Sequence, residues 1–325
     1  MHVAHIPWTT ENPWAVEIDG LTKRFDGWQG QRLAVDGLAM RVPRVGVHGF
    51  LGPNGSGKST TIRMLLGLVR PSGGTMRLLG TPVPERLPDV ISRVGAIVER
   101  PRFAGQFSGR KNLHLLARSI GVPSRVVEEV LELVGLRDRA SDPYAKYSLG
   151  MKQRLAVAST LLKDPAVVIF DEPTNGLDPS GIREMRQMMR TLAARGKAVL
   201  VSTHLIGELE QIVDSVTIIR AGRTVIEGRL DDVLGAHHVL RVEVDDPDRA
   251  ATVLRARGWS VDRRPRHLDV AGDWPGDVLN RHLGEAGIWA SGIRCQRGSL
   301  EQRFLQLTDA SVPQPPHPLV SGRIA

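Results

Sequence analysis

Residues 45–51 read Val-Gly-Val-His-Gly-Phe-Leu and run without a break into Gly52-Pro53-Asn54-Gly55-Ser56-Gly57-Lys58-Ser59-Thr60. The first stretch is a short apolar run with valines, bounded by turn residues, which is the pattern of a buried strand. The second fits the phosphate-binding loop G-x-x-x-x-G-K-[ST]. Helical spacing follows over 58–69 through Ile62, Leu65, Leu66 and Val69, and Pro71-Ser72-Gly73-Gly74 closes it with a turn. Each residue type has a physical reason. Glycines let backbone N–H groups curl around phosphate oxygens, and the helix adds its positive N-terminal end. Lys58 supplies a point charge to β- and γ-phosphates, and the Ser59 hydroxyl can bind Mg2+. A glycine-rich turn without a ligand is the weaker reading, because the match sits between a strand and a helix.

Working outward, residues 166–170 (Ala-Val-Val-Ile-Phe) form another apolar run, followed at once by Asp171 and Glu172. Two acids at the end of a strand suit a metal site at a sheet's carboxyl edge. Asp171 would hold Mg2+ through water, and Glu172 would polarise an attacking water. Helix 179–195 stopped by Gly196, strand 197–202, helix 205–213 and strand 215–220 follow. Strands alternating with helices imply an α/β fold whose parallel sheet is covered on both faces. The helical stretch 110–163 reads as an insertion, and the alternation Val16-Glu17-Ile18 opens 14–25 as an edge strand. Ser148 is a good N-cap for a helix over 149–163, with Leu155, Ala158 and Leu162 among its apolar positions. No Glu or Gln three residues on completes a capping box, which leaves N–H groups and the helix dipole open to an anion.

After Gly228 the pattern changes. Leu240, Val242 and Val244 alternate with Arg241 and Glu243 as a half-buried strand, and Asp246-Pro247 opens a helix that Gly258 ends. Strands at 259–261 and around Leu268 and Val270, a helix from Pro275 to Gly287 and a strand beginning at Ile288-Trp289 complete a β-α-β-β-α-β order. That order is the ferredoxin-like one. A helix capped by Ser299 closes the module over 299–307, and the proline-rich residues 310–325 read as a disordered tail.

In this order the motifs resemble the ATP-binding cassette family, the motor subunits of ABC transporters, over about residues 14–228. Tyr147-Ser-Leu-Gly-Met-Lys-Gln-Arg154 looks like the family's signature motif. Asp171-Glu-Pro-Thr-Asn-Gly-Leu-Asp178 looks like the Walker B motif running into the D-loop, and Ser202-Thr-His204 like the switch histidine. Phe25 matches the aromatic that stacks on adenine, with Trp28 as runner-up.

The resemblance implies a P-loop NTPase cassette, with a RecA-like core and a helical subdomain at about 100–163. An extension at 1–13 precedes the cassette (14–228), and a ferredoxin-like α+β domain (229–309) follows it. It implies ATP and Mg2+ as cofactors and a head-to-tail dimer. Each site would take Lys58, Ser59, Asp171, Glu172 and His204 from one copy and Ser148 and Gly150 from the other, with Asp178 beside them. The signature departs from LSGGQ at Leu149 and Met151 but keeps Ser148 and Gly150. Glu99 stands where most relatives have glutamine and still offers an oxygen to Mg2+. Both departures resemble the ATPases of bacitracin- and lantibiotic-type exporters of drugs, antibiotics or peptides.

Composition agrees with this class. Of 325 residues 41% are hydrophobic and 24% charged, a globular balance. The lone Cys295 cannot form an internal disulfide, no apolar run reaches the roughly 18 residues of a membrane span, and the start does not read as a signal peptide. For a transporter motor, the resemblance then implies a separate multi-spanning permease that supplies the pathway, with this chain on the cytoplasmic face of the membrane. The net charge of +8 lies in 1–228, since 229–325 carries thirteen arginines and thirteen acids. Residues 86–126 hold eight basic residues and two acids. That patch is either a solvated face or, as the resemblance implies, the side turned to the permease and anionic lipid. A soluble cassette acting on a nucleoprotein machine is the competing reading. One phosphate loop, one signature and the short insertion argue against it, so no nucleic-acid partner is expected.

Overall fold

Leu38, Met40 and Val42 are buried while the residues between them are not, and this period of two builds the first of two sheets in the N-terminal part of the chain. The computed structural model describes residues 13–27, 30–98, 103–234, 239–271, 276–296 and 299–300. They fall into two compact units, Met1–Leu230 and Asp231–Ala325. In chain order unit 1 begins with β1 (Trp14–Gly27), β2 (Gly30–Pro43), β3 (Gly46–Leu51), α1 (Lys58–Leu65), β4 (Gly73–Leu78), β5 (Thr81–Val83), α2 (Leu87–Val90) and β6 (Val94–Ile97). The helical segment is α3 (Gly109–Ser119), α4 (Ser124–Leu133) and α5 (Leu149–Leu161). Then come β7 (Val167–Asp171), α6 (Pro179–Ala194), β8 (Ala198–Thr203), α7 (Ile206–Leu209), β9 (Ser215–Arg220) and β10 (Arg223–Arg229), while α8 (Leu230–Leu234) starts on the last residue of unit 1 and continues into unit 2.

One sheet has the order β2-β1-β4-β5 and is antiparallel; the other has the order β10-β9-β3-β8-β7-β6. In the second, β9, β3, β8, β7 and β6 are parallel and β10 turns back along β9. Ile18, Met40, Phe50, Ile62, Leu65 and Leu200 share one buried cluster between the sheets and α1. Side chains also stitch the sheets at their rims. Thr224 Oγ1 accepts from Ala39 N–H at 3.2 Å, and Glu227 accepts from Arg41 N–H, so β2's edge groups are not left unpaired. Burial raises the pKa of Glu227, and the Arg41 N–H pulls against that rise.

Three sequence expectations are corrected. β1 is not an edge strand: it pairs with β2 and β4. Alternation marks its buried face but not its partners, which glycines and charges disguise. The helix from Lys58 stops at Leu65 because Gly67 adopts φ +69. The helix at 205–213 is one turn, Ile206–Leu209.

In unit 2, β11 (Val239–Val244), α9 (Pro247–Ala256), β12 (Ser260–Arg263), β13 (Leu268–Ala271), α10 (Gly276–Glu285) and β14 (Ala290–Gln296) form a wholly antiparallel sheet of order β12-β13-β11-β14. Leu240, Val242, Leu254, Leu268, Val270, Leu279 and Leu283 are its core. β14 begins at Ala290 rather than Ile288; Ile288 is buried and Trp289 is 76% exposed. Apart from Ser299 and Leu300, the expected C-terminal helix, together with residues 1–12 and the proline-rich tail, lies outside the described residues.

One buried polar group stands at the strand that feeds the loop. His48 on β3 is 1% exposed, and its Nδ1 and Nε2 lie 2.8 Å from Ser215 Oγ and 2.9 Å from Thr217 Oγ1 on β9. Burial pushes its pKa from 6.5 down to about 3. The unfolded chain takes up this proton near pH 6.5 and the folded chain only near 3. The stability contributed by neutral His48 is therefore present above pH 6.5 and lost as pH falls through that window. The limiting slope is about 1.4 kcal/mol per pH unit. Chemical denaturation at pH 7 and pH 5 should show a steeper loss for the wild type than for His48→Gln, which cannot titrate. Equal losses would mean that His48 takes up its proton in the folded state.

Candidate functional site

Backbone oxygens crowd the phosphate loop. A Cβ on Gly52 would lie 2.5 Å from Ile219 O, and one on Gly57 would lie 2.7 Å from Ala34 O. Gly57 also has φ +109 and serves as the N-cap of α1. Gly55 has φ +79 with open space around it. The first turn of α1 thus presents N–H groups that have no intrahelical acceptor. Ser56 Oγ is buried with no hydrogen-bond partner. Thr61 Oγ1 donates to Gly57 O at 2.9 Å and secures the loop from inside.

Lys58 is 5% exposed and its Nζ donates to Gly52 O at 2.8 Å and Pro53 O at 3.3 Å, so the loop folds back over its own lysine. The same Nζ lies 3.4 Å from Glu172 Oε1. Glu172 Oε2 is 2.9 Å from His204 Nδ1. Because a carboxylate only accepts, Nδ1 carries the proton in that bond and Nε2 is left for another partner. Glu172 has φ +49, a sparsely populated conformation for a residue with a side chain. Its N–H donates to Ser202 O at 3.2 Å and to Ser202 Oγ at 3.1 Å. Ser202 Oγ in turn donates to Asp171 Oδ1. One buried serine on β8 therefore orients both acids at the end of β7.

A single cavity collects most of the expected residues. Phe25, Asn54, Gly55, Gly57, Lys58, Ser59, Thr60, Glu172 and His204 line it. Gly52, Pro53 and Ser56 complete the loop behind it. Arg32, Ala34 and Asn175 line it too and escaped the sequence reading. Arg32 is the cross-strand partner of Phe25, a relation that exists only once the β1–β2 register is known. Asn175 sits inside the quoted 171–178 motif and could have been singled out there.

Ser148 and Gly150 are not among the residues that line this cavity. Ser148 caps α5, and its Oγ accepts from Met151 N–H at 3.2 Å. Asp178 caps α6 through Gly181 N–H at 3.2 Å, and Leu177 comes within 4.0 Å of a Cβ built on Gly150. Glu99, Arg100, Arg102 and Trp28 lie outside the described residues. Within the basic patch, Arg86 pairs with Asp89 at 2.8 Å and Arg110 with Glu128 at 2.7 Å, while Lys111 covers the Phe107 ring at 4.1 Å.

A cradle that only glycine fits, an unpaired buried hydroxyl and a buried lysine beside Glu172 suit a nucleoside triphosphate with its phosphates at the helix start. Fold and site define a P-loop nucleotide-binding protein. The ABC transporter family model matches residues 35–175. An ABC transporter ATP-binding protein of Bacillus subtilis, YhcH, is 43% identical over 74% of this chain and 78% of its own length. The bacitracin transport ATP-binding protein BcrA of Bacillus licheniformis is 39% identical over the same shares. The Nod factor export ATP-binding protein I of Burkholderia orbicola is 36% identical over 73% of this chain and 78% of its own. Among solved structures, an ATP-binding subunit of an ABC transporter aligns with TM-score 0.59 at 29% identity, over 67% of this chain and 91% of that one.

The chain belongs to the ABC transporter ATP-binding proteins. Members are ATPases that dimerise and work with membrane permeases. Among the described residues no helix is long and apolar enough to cross a membrane.

The crowding of the loop predicts an order of sensitivity. Gly55→Ala meets only the φ penalty of about 1–2 kcal/mol. Gly52→Ala must displace Ile219 on β9 and should lower the melting temperature further and weaken ATP binding by about tenfold or more. Calorimetry and equilibrium binding on both variants check this; a Gly52→Ala protein as stable as Gly55→Ala contradicts the close approach.

Proposed function

We propose that this chain powers an exporter. It binds ATP with Mg2+, pairs head-to-tail with a second copy, and drives a separate multi-spanning permease that carries a drug, antibiotic or peptide outward. It sits peripherally on the cytoplasmic face of the membrane, held by that permease. The observation that carries this reading is the cavity in which Phe25, the phosphate loop, Glu172 and His204 meet. A relative named for Nod factor export supports the outward direction, and one named for bacitracin transport supports the class of cargo.

The residues divide the work by their chemistry. Phe25 stacks on the nucleobase. Gly52, Pro53, Asn54, Gly55, Ser56 and Gly57 wrap the phosphates with backbone N–H groups, and Thr60 in the first turn of α1 adds to that cradle. Lys58, already aimed across the loop mouth, bears on the β- and γ-phosphates. Ser59, Asp171 and Glu99 are the oxygen donors for Mg2+, which when bound neutralises charge on the phosphate oxygens. Glu172 orients the attacking water and takes its proton. His204 Nδ1–H fixes the Glu172 carboxylate and leaves Nε2 facing the phosphates. Ser148 and Gly150, at the start of α5, present a helix N-terminus to the γ-phosphate held by the other copy. Asp178, at the start of α6, faces the same seam.

Two outcomes test this division. Glu172→Gln should keep ATP binding and lose about 10²–10⁴-fold in turnover; steady-state hydrolysis at the wild-type rate removes Glu172 from its role. Mixing a Lys58→Ala chain with a Ser148→Arg chain puts both lesions in one site of the hetero-dimer and none in the other. The mixture should hydrolyse ATP where each homodimer does not. A verified hetero-dimer that stays inactive argues against shared sites.

A further inference from the structure

Behind the Phe25 end of the cavity a cation meets the aromatic ring. β1 carries two successive register shifts, between Leu21 and Lys23 and between Lys23 and Arg24. Such irregularities re-aim side chains. Lys23 is the residue between them, and its ammonium stands over the Phe25 ring, 4.8 Å from its centroid. The same Nζ donates to Arg70 O at 2.9 Å. One strand position further, Arg24 N–H donates to Ser72 Oγ at 3.0 Å. Arg70 and Ser72 lie on the segment that leaves α1, the helix whose first residue is Lys58. Phe25 itself is 40% exposed and lines the nucleotide cavity.

We infer that Lys23 is a positioning residue for the nucleobase: it holds one face of the Phe25 ring and ties the strand bearing that ring to the segment that leaves the phosphate-binding helix. The inference rests on the reading of Phe25 as the base's stacking partner. Its physical basis has three parts. A cation on one ring face leaves only the other face for a flat partner, which fixes the side from which a base can stack. An ammonium over the ring is an attractive contact in its own right. The bond to Arg70 O makes the spacing between ring and phosphate loop a property of the backbone rather than of a free side-chain rotamer. A base and a triphosphate can then be gripped together without either end having to adjust.

Lys23 meets the ring and is not among the residues that line the cavity, so its effect should depend on the base. Equilibrium binding of ATP and of inorganic tripolyphosphate is to be measured on wild type, Lys23→Met, Lys23→Arg and Phe25→Ala. Lys23→Met should weaken ATP by about two- to fivefold, the worth of an exposed cation–π contact, and leave tripolyphosphate unchanged. Lys23→Arg, which keeps a cation over the ring, should restore ATP affinity to within about twofold. The double variant Lys23→Met/Phe25→Ala should be no weaker than Phe25→Ala alone. If Phe25→Ala loses ATP affinity while Lys23→Met does not, the positioning role is wrong and the stacking role stands. If Lys23→Met weakens tripolyphosphate as much as ATP, its effect is a loss of charge and the inference fails. If Phe25→Ala binds ATP like wild type, the stacking reading itself fails and takes the inference with it.

Discussion

Two carbonyl oxygens set the terms for this molecule. Ile219 O on β9 and Ala34 O on β2 occupy the space where Gly52 and Gly57 would carry side chains. A loop pressed from both sides by backbone has one way to run, with its N–H groups turned outward toward a ligand. The pressing strands belong to different sheets, so the cradle has its shape only when both sheets are assembled around Phe50, Ile62 and Leu65. The rim bonds from Thr224 and Glu227 to β2 serve that assembly directly. A close-packed interior of this kind transmits small displacements rather than absorbing them.

The acids reach the loop by a different route. β7 delivers Asp171 and Glu172 together, yet consecutive residues of a strand point to opposite sides. The left-handed turn at Glu172 resolves the conflict by rotating its side chain back toward Lys58 and His204. Ser202 stabilises that turn by accepting the Glu172 N–H and, through its hydroxyl proton, by fixing Asp171. Backbone strain at this point is offset by the hydrogen bonds around it, a common arrangement where chemistry is done. The strained residue is the one assigned to the attacking water.

How much of this could be read from residues alone depended on range. The phosphate loop, the acids after β7, the cap at Ser148 and the alternation of strands and helices from 166 to 220 are local patterns, and local patterns are legible. The antiparallel sheet was mostly invisible. β2 alternates only over its second half, after Gly30, Arg32, Asp36 and Gly37 have broken the pattern, and β4 opens on two glycines, so neither announces itself along its whole length. With β2 went Arg32, whose place opposite Phe25 is a matter of register. Ser202 stood in a quoted motif, but its grip on two acids is a contact between strands thirty residues apart. The β14 start was misplaced because Trp289 suggests burial by its type, whereas it stands 76% exposed ahead of the strand.

His48, Ser215 and Thr217 carry one more implication, for how such a sequence can drift. The imidazole fits between two hydroxyls on the adjacent strand, so each of the three justifies the others. An apolar residue at 48 alone takes a partner from two buried hydroxyls, leaving Thr217 with Glu227 and Ser215 without the ring, and losing either hydroxyl strands a ring nitrogen. An all-apolar trio would be as sound a core, yet every single step toward it passes through an unpaired polar group. These positions are therefore a ratchet: assembled together, they can be exchanged only together, on the strand that runs straight into the glycine-rich loop.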